Sequence, residues 1–259
     1  MKRALFLPPF DECAEPAALI EIAQAAEAAG WDGLFLWDHV MRPDPPRPVA
    51  DPWIALAGIA ASTTRIRLGP MVTPLVRRRP QKLAREIATL DRLSNGRLIV
   101  GFGLGVDTGR ELSAFGEILA QSDRARLLDE GLGLIAELLS GELVHHEGEF
   151  FRATDVQFLP SPVQSPVPFW IAARTMNPGP LRRAAGAQGL FPIELTPGEL
   201  APLIDVICQH RGGLDGFDVV ALASQGSSME QWAQVGATWW CEDPQPGVTV
   251  AEVMALLSR

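Results

Sequence analysis

The sequence contains no tyrosine at all, so no phenol can act as an acid or base in any reaction that the protein catalyses. It has only three cysteines, and the wide spacing of Cys13, Cys208 and Cys241 matches neither a CxxC metal site nor a disulfide framework. No apolar run approaches the ~18 residues that a membrane-spanning helix needs. We therefore expect a cytoplasmic protein with reduced thiols and no membrane partner.

Histidine is also scarce, and the four present are His39, His145, His146 and His210. They form no HxH pair at the first strand and no two-histidine spacing along a helix of the kind that holds zinc. This disfavours a metal-dependent barrel hydrolase, and we predict no metal site. His145 and His146 are expected on the surface of an insertion.

Positive charge is in deficit, because the formal net charge is -9. A nucleic acid or an anionic membrane would call for a clustered Lys/Arg surface, so we expect neither as a partner. The exception is the run Arg77-Arg78-Arg79, which lies between two prolines. Such a run is typical of a solvated loop, with a local anion site at the mouth of a cleft as the alternative.

The sequence is rich in one repeated rhythm, which consists of a short apolar run, a turn and an Ala/Leu-rich helical stretch. This rhythm predicts strands at residues 3–8, 33–38, 66–73, 97–105, 169–173, 189–193, 217–224 and 237–242. A last helix at 249–258 would pack across the closing seam. The pattern favours a single α/β domain over residues 1–259, a (β/α)8 TIM barrel, with a doubly wound open sheet as the competing topology.

The repeat of strand and helix is interrupted between the fourth and fifth predicted strands. Residues 141–168 read GELVHHEGEFFRATDVQFLPSPVQSPVP. Their alternation, glycines and prolines predict an irregular insertion before the fifth strand, which could contain a hairpin.

Functional residues of such a barrel lie just past the carboxyl ends of its strands. The stretch GLFLWDHVMRP (33–43) places Asp38 and His39 at the end of the second strand, and PMVTP places Thr73 at the end of the third. These are candidate catalytic or ligand-binding side chains. The alternative for the second strand is a helix-capping aspartate beside a packed histidine.

The fourth predicted strand ends in GFGLGVD, with glycines at the alternate positions 101, 103 and 105. Without side chains, Gly101, Gly103 and Gly105 would let a flat ligand approach the backbone closely. The same pattern could instead make room for a neighbouring helix.

The fifth strand passes into a helix through WIAARTMNPGPLRRAA. Arg174, Thr175, Asn177 and Gly179 would bring a guanidinium, a hydroxyl and backbone N–H groups to the start of that helix, where an anion binds well. The segment is neither a GxxxxGK[ST] loop nor a GxGxxG motif that opens a helix after the first strand.

Five segments, in this order along the chain, resemble the bacterial luciferase-like flavin or deazaflavin oxidoreductase family. They are AAEAAGWDGLFLWDHV, TRIRLGPMVTPLVRRRPQKLAREIATLDRLSNGRLIVGFGLG, RELSAFGE, LLSGELVHHEGEFFR and PVPFWIAARTMNPGPLRRAA. The resemblance covers roughly residues 3–195 and is most specific from Thr64 to Gly105. It implies a (β/α)8 barrel with an insertion before the fifth strand, in agreement with the rhythm of the chain.

For activity, the resemblance implies an oxidoreductase that uses bound F420 or FMN for hydride transfer to or from a small organic substrate, with His39 as the proton carrier. Within the same fold, an FMN-dependent monooxygenase is the alternative. A flavin-binding relative without turnover is a further alternative.

The resemblance also implies site residues. It places Trp37-Asp38-His39 against the ring of the cofactor and a backbone bulge near Val72-Thr73, often with a non-proline cis peptide, beneath it. The strand from Gly101 to Gly105 would form the wall beside the ring, and residues 173–177, which include Ala173, Arg174, Thr175 and Asn177, would bind the phosphate. Asp107 would be an acid near the substrate, which favours F420, and the family often forms homodimers through helices beside the second and third strands.

Two departures from the family pattern concern the phosphate loop. Ala172-Ala173 stands where members commonly have Gly-Gly, and Ala187-Gln188-Gly189-Leu190 stands where they have ADGW. The extra methyl groups could narrow the approach of the phosphate.

Overall fold

The computed structural model describes residues 1–42, 45–174 and 178–258. The strands of these ranges are β1 (Lys2–Leu7), β2 (Gly33–Leu36), β3 (Arg67–Pro70), β4 (Thr73–Pro74), β5 (Val100–Gly103), β6 (Leu143–Glu147), β7 (Arg152–Gln157), β8 (Phe169–Ala173), β9 (Gly189–Pro192), β10 (Asp218–Leu222) and β11 (Trp239–Glu242). The helices are α1 (Pro16–Ala28), α2 (Pro52–Ser62), α3 (Pro80–Leu93), α4 (Gln121–Leu139), α5 (Pro178–Ala185), α6 (Pro197–Arg211), α7 (Met229–Gln234) and α8 (Val250–Leu257).

The parallel strands form a nearly closed ring. The first strand, β1, pairs with β2 on one side and with the last strand, β11, on the other. The sheet order is β3-β2-β1-β11-β10-β9-β8-β5-β4. Only Met71 and Val72 separate β3 from β4, so these two strands are parts of one interrupted barrel strand through which the ring closes. The predicted (β/α)8 barrel is thereby confirmed, since a doubly wound open sheet would not join its first strand to its last.

Aromatic side chains fill the lower part of the barrel interior. The rings of Trp170 and Trp239 lie 5.3 Å apart, and the ring of Phe35 lies 5.2 Å from that of Trp170. A Cβ on Gly189 would stand only 2.7 Å from Nε1 of Trp170, so this strand position has to be glycine for the indole to fit. These side chains fill the barrel interior at this level. The open space of the barrel lies at the carboxyl ends of the strands.

Local side-chain contacts fix where the helices around the barrel begin and end. The Asp51 carboxylate accepts the N–H of Ile54 at 2.9 Å and caps α2, with Pro52 in its first turn. At the other end of α2, the buried Arg97 guanidinium donates to the carbonyl oxygens of Ala60 at 2.8 Å and of Thr63 at 3.0 Å. One buried arginine therefore satisfies backbone acceptors that the end of this helix leaves open.

The segment before the fifth barrel strand contains an antiparallel hairpin, formed by β6 and β7. Glu130 of α4 accepts the N–H groups of Phe150 at 3.0 Å and Phe151 at 2.7 Å beside the turn. Asp91 of α3, fully buried, accepts the N–H of Val163 at 2.7 Å on the way back to the barrel. The predicted insertion is confirmed, and two carboxylates attach it to the outer helices.

One expectation about the histidines needs correction, and one helix was not predicted. His145 is exposed as expected, but His146 is mostly buried, and its Nε2 lies 3.3 Å from Oε1 of Glu130. Helix α7, which the sequence pattern did not reveal, begins with a capping box between Ser228 and Gln231. Across the described ranges, none of the helices combines the length and the apolar character that crossing a membrane requires.

Candidate active site

A cavity of about 1200 Å³ opens at the carboxyl ends of the barrel strands. Its apolar lining includes Phe6, Trp37, Phe191 and Leu222, which pack in one cluster with the aromatic core, and also Ile171. A cavity of this size and place is where barrel proteins bind their ligands.

His39, from the segment that follows β2, lines this cavity next to Glu111. The Nδ1 atom of His39 lies 2.6 Å from Oε2 of Glu111, whose side chain is only 6% exposed while that of His39 is 22% exposed. Oε1 of Glu111 accepts the N–H of Val40 at 2.6 Å and an N–H of Arg77 at 2.9 Å. Burial alone would raise the pKa of Glu111, but the His39 hydrogen bond and charge, the Val40 N–H and the Arg77 charge outweigh it and lower this pKa.

The Asp38 carboxylate is fully buried beneath His39. Oδ2 accepts the hydroxyl of Thr73 at 2.7 Å, the indole N–H of Trp53 at 3.2 Å and an N–H of Arg78 at 3.0 Å. Oδ1 accepts from Arg77 at 3.2 Å. Among the described residues, the carboxylate that meets the imidazole is therefore that of Glu111, and Asp38 instead holds the strand ends and the arginines together.

The arginine run is not a solvated loop. Arg77 is only 7% exposed and joins Asp38 to Glu111, and Arg78 is largely buried against Asp38, so Arg79 is the exposed member. Arg77 does line the cavity, but the structure does not confirm the predicted alternative of a local anion site, because the guanidinium pairs with the carboxylates of Asp38 and Glu111.

The wall of the cavity beside β3, β4 and β5 is built from backbone and small side chains. The peptide bond between Met71 and Val72 is cis, one bond before the Val72-Thr73 position expected from the resemblance. Val72, Gly103 and Gly105 line the cavity, and a Cβ on Gly103 would stand 2.7 Å from Cγ2 of Val72. The backbone of β5 is thus exposed to any ligand at this position.

Thr73 and Gly101, predicted for the same wall, are buried behind it. Thr73 is fully buried and its hydroxyl is committed to Asp38. A Cβ on Gly101 would run into the side chains of Met71 and Val72. Both residues shape the wall from behind instead of facing the cavity.

Two of the predicted phosphate residues, Ala173 and Arg174, lie at the end of β8 within the described part of the chain. Ala173 is buried, whereas Arg174 lines the cavity, is 46% exposed and pairs with Glu194. Thr175 and Asn177 lie outside the described residues. Arg183 of α5, which the sequence analysis did not single out, also lines the cavity.

Asp107 is placed differently from the expectation that it faces the substrate. Its Oδ1 accepts the N–H groups of Leu112 at 2.8 Å and Ser113 at 3.0 Å, and these bonds lower its pKa. It is absent from the set of described residues that line the cavity, which includes Val106, Thr108 and Glu111. The acid that reaches the cavity from this loop is Glu111, inside the segment RELSAFGE, and its only sequence signal is an acidic residue in the loop after the glycine-rich strand.

A further acid, Asp243, lies after β11 on the cavity wall beside Ser224. The Ser224 N–H donates to Oδ1 at 2.7 Å, and its hydroxyl donates to Oδ2. Burial raises the pKa of Asp243, and the bonds from Ser224 only partly oppose this. In the parts of the chain described by the structure, no group of three or more His, Cys, Asp or Glu side chains is arranged to hold a metal ion.

The cavity residues fit a flat, phosphate-bearing cofactor. Val72, Gly103 and Gly105 form a wall of backbone and small side chains against which a flat ring can lie. Arg174 and Arg183 supply positive charge at the opposite end.

Comparison with known proteins agrees with this geometry. The family model described as luciferase-like monooxygenase matches residues 1–222. The F420-dependent glucose-6-phosphate dehydrogenase of Nakamurella multipartita is 38% identical over 165 residues, which cover 61% of this chain and 47% of that protein. The chain thus spans about half the length of this relative.

Solved structures share the fold at low sequence identity. An F420-dependent secondary alcohol dehydrogenase in complex with an F420-acetone adduct superposes with a TM-score of 0.82 at 15% identity, over 99% of this chain and 97% of that one. The monooxygenase RslO1 from Streptomyces bottropensis superposes with a TM-score of 0.81 at 18% identity, over 100% and 97%. These structural similarities establish the barrel fold, which the dehydrogenase and the monooxygenase share.

Proposed function

The chain belongs to the luciferase-like monooxygenase family, and from this premise we propose that it is an oxidoreductase that holds a deazaflavin (F420) or a flavin in its barrel cavity. The reaction is hydride transfer to or from a small organic substrate. The observation that carries the proposal is the His39–Glu111 pair, 2.6 Å apart at the edge of a cavity of about 1200 Å³. When bound, the cofactor ring supplies the hydride chemistry, and the protein supplies binding, orientation and proton transfer.

The wall and the far end of the cavity would bind the cofactor. Val72, Gly103 and Gly105 would face the ring, with Thr73 and Gly101 supporting them from behind. Ala173, Arg174, Thr175 and Asn177 would surround the phosphate. Trp37, which lines the cavity, would pack against the ring.

His39 is the proton carrier in this proposal. Its Nδ1 is engaged by Glu111, so the other ring nitrogen remains to exchange a proton with a substrate hydroxyl or carbonyl oxygen. Glu111 holds the imidazole in place through this contact. Asp38, which the sequence placed with His39 as catalytic, acts as a positioning residue through Arg77, and Asp107 orders the loop that carries Glu111.

F420 is the preferred cofactor because the relative with 38% identity is named for its dependence on F420. An FMN-dependent monooxygenase is the alternative that the test must separate. The third possibility is a binding protein without turnover.

The test is reconstitution of the purified chain with F420 and with FMN in separate titrations, followed by a redox half-reaction. We expect F420 to bind with a dissociation constant below about 100 μM and to lose its oxidised absorbance without oxygen when a suitable alcohol is added. Reduced FMN that consumes oxygen and oxygenates a substrate would support the monooxygenase instead. A chain that binds neither compound would contradict the proposal.

A second copy of the chain and a small-molecule substrate are the proposed partners, with no nucleic acid. The homodimer would pair through α2, whose Ile54 side chain is exposed. We expect wild-type protein at micromolar concentration to scatter light as a dimer and Ile54→Glu as a monomer, whereas a monomeric wild type would contradict the pairing. The free thiols of Cys13, Cys208 and Cys241 fit the proposed cytoplasmic location.

A further inference from the structure

Helix α5 begins with few backbone donors for a helix that is expected to bind a phosphate. An α-helix normally presents four free N–H groups at its start. In α5 the first and third residues are prolines, Pro178 and Pro180, and proline has no N–H. Of the first three residues, whose N–H groups a helix leaves free, Gly179 alone retains a donor, so an anion at this place needs a donor from elsewhere.

Arg183, one turn further along α5, is a cation built into this place. Its side chain is 9% exposed and lines the cavity together with Gly179 and Pro180. Nε donates to Oδ1 of Asp129, and Nη2 donates to Oδ2 of Asp129 at 2.9 Å and to the carbonyl of Ala125 at 3.2 Å. The guanidinium is therefore held by α4 in one orientation.

The third nitrogen of this guanidinium is still available. Nη1 of Arg183 has no hydrogen-bond partner among the described residues, and it lies 3.7 Å from the point where a Cβ on Gly179 would stand. It therefore sits beside the start of α5 on the cavity side. Because Arg183 lines the cavity and this nitrogen has no protein partner there, Nη1 can donate to an oxygen anion bound in the cavity without giving up another contact.

Arg174 is a weaker candidate for the same task. It is 46% exposed and its charge is paired with Glu194, itself largely exposed. Binding an anion would require it to leave that partner and to lose the freedom of an exposed side chain. Arg183 has already been ordered by its own contacts.

We propose that Arg183 is the phosphate-binding cation of the cavity, that its Nη1 donates to a phosphate oxygen of the cofactor, and that Asp129 is its positioning residue. This inference rests on the proposed function, because the phosphate is that of F420 or FMN. It assigns to a side chain the donor role that Pro178 and Pro180 remove from the backbone.

The experiment measures the affinity for matched ligands with and without phosphate. FMN is titrated against riboflavin, and F420 against its phosphate-free deazaflavin riboside, by quenching of ligand fluorescence. The proteins are wild type, Arg183→Met, Arg183→Lys and, as the control on the same helix, the exposed Arg182→Met. Thermal melting of each variant is recorded in parallel.

For Arg183→Met we expect affinity for the phosphate-bearing ligand to fall roughly 10- to 100-fold, the effect of one charge-assisted hydrogen bond, while affinity for the phosphate-free ligand changes less than about threefold. Arg183→Lys should retain part of the affinity, and Arg182→Met should match wild type. The ratio of the two affinities is taken within one variant, so a change in stability alone does not alter it.

Two results would overturn the assignment. If Arg183→Met binds both members of a pair as wild type does, or loses both equally, Arg183 only ties α5 to α4. If wild type binds none of the four compounds, the proposed function fails and the assignment fails with it. Wild-type binding with an unchanged variant therefore identifies a failure of the Arg183 inference alone.

Discussion

The imidazole of His39 and the carboxylate of Glu111 are 72 positions apart in the chain, yet His39 Nδ1 lies 2.6 Å from Glu111 Oε2. Each partner is held by a different element. His39 follows β2, and Glu111 lies in the loop after β5, where its second oxygen accepts from Val40 and Arg77. The orientation of the imidazole is thus set by a residue of a distant loop and not by its sequence neighbour Asp38.

Replacing His39 by asparagine removes the proton carrier but keeps a polar side chain of similar size. We expect His39→Asn to lower turnover by ~10² to 10⁴, the usual contribution of one general acid or base, while cofactor affinity stays within a few-fold. Stopped-flow turnover and cofactor titration on the same preparation separate the two quantities. A variant that melts early but keeps its activity per folded molecule would show that His39 is only a packed ring.

Glu111→Gln tests the positioning role of the carboxylate. The hydrogen bond and charge of His39, the Val40 N–H and the Arg77 charge lower the pKa of Glu111 despite its burial, so these partners all favour the carboxylate form. Removing the charge weakens these contacts together and loosens the imidazole, so turnover should fall at least about tenfold while cofactor affinity stays within a few-fold. Glu117→Gln is the control in the same loop, and an equal loss of turnover in that variant would contradict the assignment.

Asp38→Asn tests whether Asp38 is structural. Its carboxylate is fully buried with two arginines, and breaking a buried ion pair typically costs about 3 to 5 kcal/mol. We expect a loss of that order in the free energy of unfolding, measured with urea. Asp123→Asn, at an exposed pair with Arg126, should cost less than about 1 kcal/mol. Wild-type stability with lost turnover would instead support the direct catalytic role that the sequence suggested.

The barrel could be predicted because each strand is a short apolar run followed by a helix, a pattern that depends only on neighbouring residues. Helix α7 was missed because it is six residues long, and its capping box of Ser228 and Gln231 is a weak signal within a polar stretch. The cis peptide lies between Met71 and Val72, one bond before the position that the resemblance predicted.

The site could be predicted only in part. The strand-end rule located His39 and Gly103 at the cavity, because it follows from topology. It could not reveal that Arg77 faces Asp38 and Glu111, since those contacts join different loops and a run of arginines between prolines has the composition of a solvated surface. The prediction of Asp107 as the acid near the substrate has the same origin: the sequence shows where the loop lies along the chain but not which of its side chains faces the cavity.

Gly103→Ala tests the open wall of the cavity. The added Cβ would stand 2.7 Å from Cγ2 of Val72, so the valine has to move and both groups narrow the space for the ring. We expect cofactor affinity to fall at least about tenfold, the scale of the 1 to 3 kcal/mol that overpacking costs. Gly133→Ala, in α4 with nothing within 4 Å of its Cβ, is the matched control and should bind normally. Equal affinity in both variants would contradict a ring site at β5.

Glu27 of α1 holds the start of the third barrel strand through its carboxylate. It accepts the N–H of Thr64 at 3.0 Å, of Arg65 at 2.7 Å and of Ile66 at 2.8 Å. Burial alone would raise its pKa, but these donors outweigh it and lower the pKa from 4.5 to about 2. Because the folded-state pKa is depressed, the stabilisation is complete above pH 4.5 and is lost as the pH falls from there toward 2.

We therefore expect Glu27→Gln to lower the free energy of unfolding at neutral pH by roughly 1 to 3 kcal/mol, the range for lost hydrogen bonds to a charged group. Its difference from wild type should shrink steadily as the pH falls from 4.5 toward 2, because protonation removes the same charge from the wild-type side chain. Urea unfolding of both proteins across this interval measures the difference. Glu21→Gln, an exposed position on the same helix, should track wild type at every pH. A difference between Glu27→Gln and wild type that does not change with pH would show that the three N–H bonds do not depend on the charge of Glu27.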